Sequence, residues 1–289
     1  MRPVAALEVG GTHVTGAVVD LDTGAYLREP SRLHVDSHAD ADQILATFVR
    51  AGVELDAAAG LRWGVAMPDP FDYPNGIGRF HDVGKYEALD GVDVRAPLAA
   101  CLPAPASITF VNDADAFTLG EAHSGAGRGY RRCVGLTLGT GVGSGWVVDG
   151  VPLASGPGVP KDGRAHHLEV GGRPLEDVMS RRAIRRAYAE ASGDHDSDVR
   201  EIAERARGGD RTATEVLRNA LRALGEALGP GLREFGADVV VVGGSMAGSW
   251  DLFEPWLRDG LGAAQPPIAV SQDAERAGLT GAALTALRD

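Results

Sequence analysis

The chain has 289 residues, of which 44% are hydrophobic, and its formal net charge is −12. This apolar content is enough for a sizeable core, so a disordered chain is excluded. The longest apolar runs, such as residues 239–242, are too short to span a membrane, and the acidic charge disfavours nucleic acid as a partner.

Strand-like sequence begins at Val4 with no charged-then-apolar leader before it, so we expect a cytoplasmic protein. Cys101 and Cys133 are the only cysteines, which excludes a disulfide framework and a four-cysteine zinc site. Glycine occupies 40 positions, about twice its average usage, so the places where the glycines cluster are informative.

Two segments share one plan. Residues 3–20 read PVAALEVGGTHVTGAVVD, two apolar runs joined by a Gly-Gly-Thr turn, and residues 132–150 read RCVGLTLGTGVGSGWVVDG, with a longer glycine turn. Apolar, β-branched runs around a short glycine turn predict a β-hairpin in each segment. The repetition indicates two related halves, although two glycine hairpins can also resemble each other by chance.

Helical and extended patterns alternate around these hairpins. Periodicity and turn signals predict helices at residues 40–51, 97–102, 114–123, 175–191, 199–207, 212–235 and 279–287. Strands are expected at residues 61–67, 107–111 and 238–242, and loops rich in proline and glycine at 68–84 and 154–163. This alternation predicts an α/β protein whose core sheets are largely parallel and are made mixed by the hairpins.

The most natural domain boundary lies near Asn112. We expect a small N-terminal α/β domain over residues 1–112 and a larger α/β domain over residues 113–278, with a cleft between them. The last helix, at about residues 279–289, is expected to pack on the first domain.

Glycine turns after strands suggest phosphate binding, because a backbone without side chains lets N–H groups approach phosphate oxygens. Neither a P-loop motif nor a GxGxxG motif opening a helix occurs, so those nucleotide folds are unsupported. Glycines that join strand to strand suit the actin-like (ribonuclease H-like) ATPase fold, in which two hairpins hold a nucleotide's phosphates. A plain structural turn would explain each cluster taken alone.

Three loops are the candidates for nucleotide contact. The first holds Gly10, Gly11 and Thr12, and the second holds Gly139, Thr140 and Gly141. Gly243, Gly244 and Ser245 follow a strand and precede a possible helix, which fits contact with the nucleoside or an ordinary strand–helix turn.

Two acidic positions could carry chemistry. Glu8 precedes the first loop, where a carboxylate could order the water shell of Mg²⁺ or simply face solvent at a strand end. Asn112 and Asp113 stand between a strand and a helix, where Asp113 could accept a proton from a sugar hydroxyl. Asn and Asp are also favoured at the helix N-cap, so spacing alone is equally consistent with a purely structural capping role.

Taken in order, LEVGGTHVTGAVVD, VNDADAFTLGE, LTLGTGVGSGWVVDG, VVVVGGS and the closing AGLTGAALTAL resemble the ROK family of sugar kinases and sugar-responsive repressors. The resemblance spans residues 4–286. It implies that the first two glycine loops, together with His13, hold ATP phosphates, that Asp113 is the catalytic base, and that Asn112 binds sugar. It further implies a cytoplasmic hexose kinase that uses ATP and Mg²⁺, acts on the 6-OH and forms a homodimer.

The chain departs from the family's usual pattern at several positions. Glu8 stands where the family has aspartate, and His13 where lysine is frequent. In the segment that resembles the Glu-x-Gly-His stretch, His167 matches the histidine and Glu176 a later glutamate, while Arg164 replaces the first glutamate. No cysteine is near, so we expect no structural zinc, as in the polyphosphate/ATP glucokinase branch that this shortened form resembles.

Arg164 is the most informative of these departures. The expected sugar ligands in this segment are Arg164, His167 and Glu176. Because a guanidinium only donates hydrogen bonds, Arg164 suggests a preference for a sugar with a carbonyl, acyl or anionic group. Alternatively, Asp162 or Glu169 replaces the missing acceptor. In the loop expected to close over the sugar, the polar candidates are Asp69, Asn75, His81 and Lys85, which an ordinary solvated loop would explain as well.

Three other functions remain as alternatives. A polyphosphate-using glucokinase would need a basic track, which Arg181, Arg182, Arg185 and Arg186 could supply unless they form a solvated helix face. A catalytically silent sugar-binding protein is disfavoured because Asp113 and both Gly-Thr loops are intact. A repressor would need a DNA-binding segment before the first strand, and the expected first strand begins at residue 4.

Overall fold

The computed structural model describes residues 2–263 and 265–288. The chain divides into two compact units. Unit 1 comprises Met1–Gly125 and Asp273–Asp289, and unit 2 comprises Ala126–Gln272. Unit 2 is therefore inserted into unit 1. The boundary expected near Asn112 falls inside unit 1, fourteen residues before the chain enters unit 2 at Ala126.

The described residues form fifteen strands. They are β1 (Pro3–Val9), β2 (His13–Asp20), β3 (Ala25–Tyr26), β4 (Ser31–His34), β5 (Arg62–Met67), β6 (Phe71–Asp72), β7 (Ile77–Gly78), β8 (Ser107–Asn112), β9 (Arg132–Leu138), β10 (Val142–Val148), β11 (Val151–Pro152), β12 (Glu169–Val170), β13 (Arg173–Pro174), β14 (Val239–Gly243) and β15 (Ile268–Val270).

Nine α-helices accompany these strands in the described residues. They are α1 (Ala41–Val53), α2 (Arg95–Cys101), α3 (Asp113–Ser124), α4 (Glu176–Met179), α5 (Arg181–Ser192), α6 (Val199–Arg207), α7 (Arg211–Phe235), α8 (Trp250–Leu261) and α9 (Ala274–Thr285). Short 3₁₀ turns lie at Glu87–Leu89, Lys161–Gly163, Ala165–His167 and Ser245–Ser249. None of the helices in the described residues is long and apolar enough to cross a membrane.

The main sheet of unit 1 has the order β3-β2-β1-β5-β8, with β4 also paired to β2. β1 and β2 form the first predicted hairpin, which is confirmed, whereas β1–β5 and β5–β8 are parallel pairs. Glu8 is in register with Ala66, and Met67 with Asn112. The carboxyl ends of three neighbouring strands therefore meet at one edge of the sheet, and we call this edge the acidic edge.

Close backbone contacts seat α9 against the sheet and α3 of unit 1. A Cβ on Gly64 of β5 would lie 1.8 Å from the Ala282 carbonyl oxygen, and one on Gly281 would lie 1.7 Å from that of Ala116. Glycine at both positions lets the helix and its neighbours approach within distances that any side chain would prevent. Ala282 and Ala283 are fully buried in this contact.

The main sheet of unit 2 has the order β11-β10-β9-β14-β15. β9 and β10 form the second predicted hairpin, which is also confirmed, and β14 lies parallel to both β9 and β15. The long helix α7 buries one stripe of residues in the core of this unit: Leu217, Leu221, Leu224, Leu228 and Leu232. Mixed sheets with helical layers agree with the predicted α/β class.

Two helix predictions were wrong in detail. The single helix expected at residues 175–191 is instead two helices, α4 and α5, which are separated by Ser180. The extended backbone of Ser180 (ψ 160°) ends α4, and its side chain caps α5 by accepting from the Ala183 N–H. The last helix starts at Ala274, because Asp273 caps it by accepting from the Arg276 N–H. The short strands and β15 were not predicted from the sequence.

Candidate active site

The glycine turn after β1 lies at the acidic edge of unit 1. Gly10 closes the turn by donating its N–H to the His13 carbonyl oxygen at 2.8 Å, and the Tyr86 hydroxyl donates to the Gly10 carbonyl oxygen at 2.5 Å. Gly11 and Thr12 are exposed. Hydrogen bonds at Gly10 thus fix the backbone of the turn, while Gly11 and Thr12 remain accessible to a ligand.

His13 follows this turn as the first residue of β2. Its Nδ1 lies 2.9 Å from the Thr12 hydroxyl, and its ring contacts that of His34 edge-on. Desolvation and then the charges of Arg32 and His34 lower the pKa of His13. A neutral imidazole at neutral pH offers a phosphate oxygen a hydrogen bond rather than a full positive charge.

Glu8 is half-buried at the end of β1, where its carboxylate packs against Gly278 of α9. A Cβ on residue 278 would lie 2.5 Å from Oε1, so glycine makes room for this side chain. Burial raises the pKa of Glu8 to about 8, and the negative charges of Asp113 and Asp273 add to the rise while Arg32 opposes it. The acidic edge therefore holds carboxylates that repel one another.

Such a donor set fits a magnesium ion that arrives with a phosphate ligand. Mg²⁺ in kinases is held by one or two carboxylates, substrate phosphates and water, rather than by a cage made wholly of protein. Among the residues described, no group of three or more His, Cys, Asp or Glu side chains is arranged to hold a metal. Glu8 and Asp113 are the side chains at this edge whose repulsion a divalent cation would relieve.

The raised pKa of Glu8 predicts a specific dependence of stability on pH. In the unfolded chain Glu8 ionises near its ordinary pKa of 4.5, while the folded protein keeps the proton until about pH 8. Glu8 thus makes the folded state progressively less stable as pH rises from 4.5 to 8. We expect Glu8→Gln to unfold at higher urea than wild type, with the gain growing by about 1 kcal/mol or more between pH 5 and 9. The exposed variant Glu29→Gln is the control, and a gain that is constant with pH would contradict the assignment.

Asn112 and Asp113 join β8 to α3. Asn112 is buried and caps the helix, with its Oδ1 accepting from the N–H groups of Ala114 at 3.0 Å and Asp115 at 3.2 Å. Asp113 is the first helical residue and half-buried, and its Oδ1 accepts from the Ala114 N–H at 2.8 Å. The capping role is thus filled by Asn112, which leaves the Asp113 side chain at the acidic edge beside Glu8.

Sequence reasoning missed one part of this edge. The Tyr73 hydroxyl donates to Asp69 Oδ1 at 2.7 Å, and Asn112 Nδ2 donates to Asp69 Oδ2 at 2.9 Å. Burial and then the charges of Asp69 and Asp113 raise the pKa of Tyr73. Asp69 was only one of four polar loop candidates and Tyr73 was not singled out, because nothing in the sequence pairs this loop with the end of β8.

The other polar loop candidates lie in local contacts. Asn75 donates to the carboxylate of Asp72 at 3.0 Å, and His81 is exposed, with Asp82 at 3.2 Å. These are contacts typical of a solvated loop. Lys85 is half-buried.

In unit 2, two glycine loops meet at the ends of the parallel neighbours β9 and β14. A Cβ on Gly139 would lie 3.2 Å from the Ser245 Oγ, and one on Gly244, whose φ is +88°, would lie 2.4 Å from the Leu138 carbonyl oxygen. Thr140 and Ser245 are exposed. The predicted second and third loops are therefore brought together.

Helices α4 and α5 begin beside the second loop. The Arg181 N–H donates to the Gly139 carbonyl oxygen at 3.1 Å, and a Cβ on Gly141 would lie 2.3 Å from Glu176 Oε1. The break at Ser180 makes this arrangement possible, because it gives α5 its own N-terminus at the loop. Glu176 thus lies over the glycine loop.

A cavity of about 680 Å³ opens beside Ser245 in unit 2. Its wall combines apolar and charged side chains, among them Val199, Met246, Phe253, Arg181, Arg200 and Arg207. Each of the three arginines is paired with a carboxylate: Arg181 with Asp198 through two bonds of 2.8 Å, Arg200 with Glu204, and Arg207 with Asp251. The cavity offers apolar surface and neutralised cations.

The segment that carries the expected sugar ligands of unit 2 is anchored on β10. Ser144 Oγ donates to the Gly163 carbonyl oxygen at 2.7 Å and accepts from the Ala165 N–H at 2.8 Å. Arg164, between these two residues, is buried at 8% exposure, whereas His167 is exposed. A buried guanidinium held in an anchored turn is not an ordinary surface arginine.

The arginines proposed as a polyphosphate track are spread over contacts of their own. Arg185 donates to the Ser197 carbonyl oxygen and Arg186 to that of Asp177, both at 3.2 Å, and Arg182 is 4.0 Å from the Asp177 carboxylate. With Arg181 paired to Asp198, these side chains supply helix-face contacts rather than a continuous cationic strip.

Comparison with known proteins gives this geometry its context. The model of the ROK family matches residues 4–289, so the chain belongs to the ROK family. A glucokinase from Thermotoga maritima is 28% identical over 275 residues, which cover 88% of this chain and 85% of that protein. A polyphosphate glucokinase from Mycobacterium tuberculosis is 26% identical over 285 residues, covering 98% and 91%.

The same family is found among solved structures. The crystal structure of a ROK hexokinase from Thermus thermophilus superposes with a TM-score of 0.78 at 27% identity, covering 99% of this chain and 98% of that one. The resemblance read from the motifs, the actin-like fold and the sugar-kinase class are confirmed.

Proposed function

We propose that this protein transfers the γ-phosphoryl group of ATP to a hydroxyl, the 6-OH, of a hexose or hexose derivative. The observation that carries the proposal is the acidic edge of unit 1, where Glu8, the open glycine turn at Gly10–Thr12 and Asp113 lie together. A carboxylate base beside phosphate-binding backbone is the combination that phosphoryl transfer to an alcohol needs.

In this reaction Asp113 takes the proton of the sugar hydroxyl. The hydroxyl oxygen forms its bond to the γ-phosphorus as the bond from that phosphorus to the β–γ bridging oxygen breaks, so ADP leaves with the electron pair. In unit 1 the backbone N–H groups at Gly11 and Thr12 bind phosphate oxygens, and in unit 2 those at Thr140 and Gly141 have the same role, because the Gly10 and Gly139 N–H groups already donate within their own loops. Glu8 would hold Mg²⁺, which would supply positive charge to offset that of the phosphates.

ATP, rather than polyphosphate, is the donor that the cavity beside Ser245 supports. Its apolar side chains Met246 and Phe253 suit a base, and a volume of about 680 Å³ exceeds what a nucleoside needs. A polyphosphate chain would instead require uncompensated cations, and the three arginines at this cavity are each paired with a carboxylate.

Filling this cavity tests the assignment of the donor. Gly248 lines the cavity, and a Cβ placed on it meets no atom within 4 Å. We expect Gly248→Trp to raise KM for ATP about tenfold or more, because the indole occupies the space of the base, while KM for the sugar stays within about twofold. Gly248→Ala is the matched control. If ATP kinetics are unchanged while polyphosphate supports turnover, the donor assignment is wrong.

Arg164 guides the choice of sugar. We propose that its guanidinium donates to a carbonyl, acyl or anionic group on the substrate, where a glutamate would instead accept from a hydroxyl. Its burial in an anchored turn supports a fixed role. The alternative acceptors Asp162 and Glu169 are both exposed.

The corresponding variant is Arg164→Glu. We expect it to raise kcat/KM for glucose about tenfold, and to lower it for the preferred acylated or acidic hexose, since a hydrogen bond to a charged group contributes about 1.5–3 kcal/mol. Arg164→Gln, which removes the charge without supplying a carboxylate, is the control. The absence of any gain on glucose in Arg164→Glu would argue against this role.

The function itself is tested over hexoses, amino sugars, acylated sugars and sugar acids, by a coupled assay of ADP release with ATP as donor and by detection of the sugar phosphate with polyphosphate as donor. Turnover with at least one sugar is expected. Sugar binding by calorimetry with no ADP release would favour the catalytically silent alternative. The cytoplasmic location and the homodimer stay predictions, and light scattering at several protein concentrations checks the second.

A further inference from the structure

One backbone carbonyl of the first glycine turn is held by a side chain. The Tyr86 hydroxyl donates to the Gly10 carbonyl oxygen at 2.5 Å, across 76 positions of the chain. Two other carbonyls of the turn are held by backbone groups: that of His13 accepts from the Gly10 N–H at 2.8 Å, and that of Thr12 accepts from the Val35 N–H at 2.9 Å. A single side-chain substitution can therefore release the Gly10 carbonyl and neither of the other two.

Holding this carbonyl also sets the direction of the next N–H group. The peptide that joins Gly10 to Gly11 is trans, so its C=O and N–H point in opposite directions. The C=O points toward the fully buried Tyr86, so the N–H points away from it, and Gly11 is exposed. In the part of the chain that the structure describes, no backbone oxygen accepts from the Gly11 N–H. This N–H is thus available to a phosphate oxygen.

Two consecutive glycines allow this peptide to turn over. A flip changes ψ of residue 10 and φ of residue 11 by about 180° each, as in the exchange between type I and type II turns. Gly11 has a negative φ, so the flip takes it toward positive φ, which glycine tolerates and other residues resist. The flipped turn would present a carbonyl oxygen, which repels phosphate, in place of the N–H.

Tyr86 is itself firmly placed. Its backbone is left-handed (φ 54°, ψ 21°), which is uncommon for an aromatic residue, and its N–H donates to the Ser37 carbonyl oxygen at 2.8 Å. Its ring packs against Phe48 and Phe80, with centroid distances of 6.0 and 5.6 Å. A phenylalanine ring would fill the same space, so the hydroxyl contact with Gly10 is what distinguishes tyrosine at this position.

From this geometry we infer that Tyr86 is a positioning residue for the donor, because its hydroxyl holds the Gly10–Gly11 peptide with the Gly11 N–H directed toward a phosphate oxygen of ATP. The inference rests on the proposed function and deepens it, since it names the side chain that keeps the turn of unit 1 in its binding form. Neither the sequence spacing nor the resemblance assigns a role to Tyr86.

The first test is Tyr86→Phe. Without the hydroxyl, only a fraction of the molecules keeps the Gly11 N–H outward, and the apparent affinity for ATP falls by that fraction, about fivefold or more. We expect this loss both in KM for ATP and in the calorimetric Kd of a non-hydrolysable ATP analogue, while KM for the sugar stays within about twofold. A Kd of Tyr86→Phe within twofold of wild type would overturn the inference.

Tyr188→Phe is the matched control. Tyr188 is a buried tyrosine of unit 2 whose hydroxyl donates to Asp210 at 2.9 Å, so its variant also loses a buried hydroxyl and one hydrogen bond. Both variants should lower the urea midpoint slightly, and Tyr188→Phe should leave the Kd of the analogue within about twofold. An equal loss of analogue binding in the two variants would show a general effect of stability and contradict the role of Tyr86.

A double-variant cycle with Gly11→Ala separates a peptide flip from a general loosening of the turn. A Cβ on Gly11 meets no atom within 4 Å, and alanine resists the positive φ that the flip requires. In the Gly11→Ala background the loss caused by Tyr86→Phe should therefore shrink to about twofold or less. An undiminished loss would contradict the inference. If Gly11→Ala alone abolishes binding, a crystal structure of Tyr86→Phe decides instead: a flipped Gly10–Gly11 peptide supports the inference, and the wild-type orientation overturns it.

Turnover of wild type and of Asp113→Asn is assayed in parallel. If wild type binds the analogue in a manner that depends on Tyr86 but releases no ADP with any sugar, the proposed transfer has failed while the role of Tyr86 stands. If wild type binds no analogue at all, the proposed function and this inference fail together.

Discussion

Replacing Asp113 by asparagine is expected to lower kcat by about 100- to 10,000-fold, the range over which a positioned general base accelerates proton transfer. The amide keeps an oxygen that can accept from the Ala114 N–H, as Asp113 Oδ1 does now, so α3 should remain capped and folded. KM for the sugar should change by less than about threefold. Steady-state kinetics and calorimetric sugar binding on the same preparation separate these effects.

Asp115→Asn provides the matched control for this measurement. Asp115 lies two residues further along the same helical turn and is half-buried like Asp113. Its variant should retain most of the activity. Turnover of Asp113→Asn within tenfold of wild type would remove Asp113 from the role of base.

The second large effect expected is on stability, at the contact between α3 and α9. A Cβ on Gly281 would lie 1.7 Å from the Ala116 carbonyl oxygen, and backbone atoms on both sides leave no flexible side chain to move aside. Alanine would gain about 1 kcal/mol of helix propensity. The overlap outweighs that gain, so we expect Gly281→Ala to lower the free energy of unfolding by about 3 kcal/mol.

Urea denaturation measures this loss, and Gly248→Ala serves as the control because a Cβ there meets no atom within 4 Å. The control should shift the unfolding free energy by less than about 0.5 kcal/mol. Equal midpoints for Gly281→Ala and wild type would show that the two helices can separate without cost, contrary to the tight packing seen here.

The sequence was most informative where local chemistry determines local structure. Both glycine hairpins, and the strand that ends at Asn112, follow from apolar runs next to glycine or a capping residue, which need no knowledge of the rest of the chain. The five sequence segments, taken in order, then pointed to the family, which the comparison confirms over residues 4–289.

Features that depend on contacts between residues far apart in the chain could not be predicted from the sequence. Ser180 interrupts an otherwise helical run, and Arg181, the first residue of α5, donates its N–H to Gly139, a partner 42 residues earlier in the chain. The early start of α9 follows from Asp273, and its small residues give little amphipathic signal because both of its sides are covered.

The same limit applied to the site. Glu8 and Asp113 could be named from their motifs, but the burial of Glu8, which raises its pKa most, and the further rise caused by the charge of Asp113 arise only when the chain has folded and β1 and β8 lie in one sheet. The contact of Asp69 with Asn112 joins residues 43 positions apart, and no pattern along the chain records it. The roles of Glu8 and Asp113 stay predictions that the variants above test.

The insertion of unit 2 between α3 and α9 has a consequence for biosynthesis. Unit 2 is one continuous stretch of chain, whereas unit 1 has all of its residues only after α9, which follows the whole of unit 2, has been made. Unit 1 cannot complete its packing before α9 is present, because Gly64 and Gly120 leave grooves that α9 fills. The contact of Glu8 with Gly278 likewise forms only once α9 is present. The acidic edge is therefore completed only when α9 is available, and a chain cut before Asp273 would hold every residue of unit 2 but only part of unit 1.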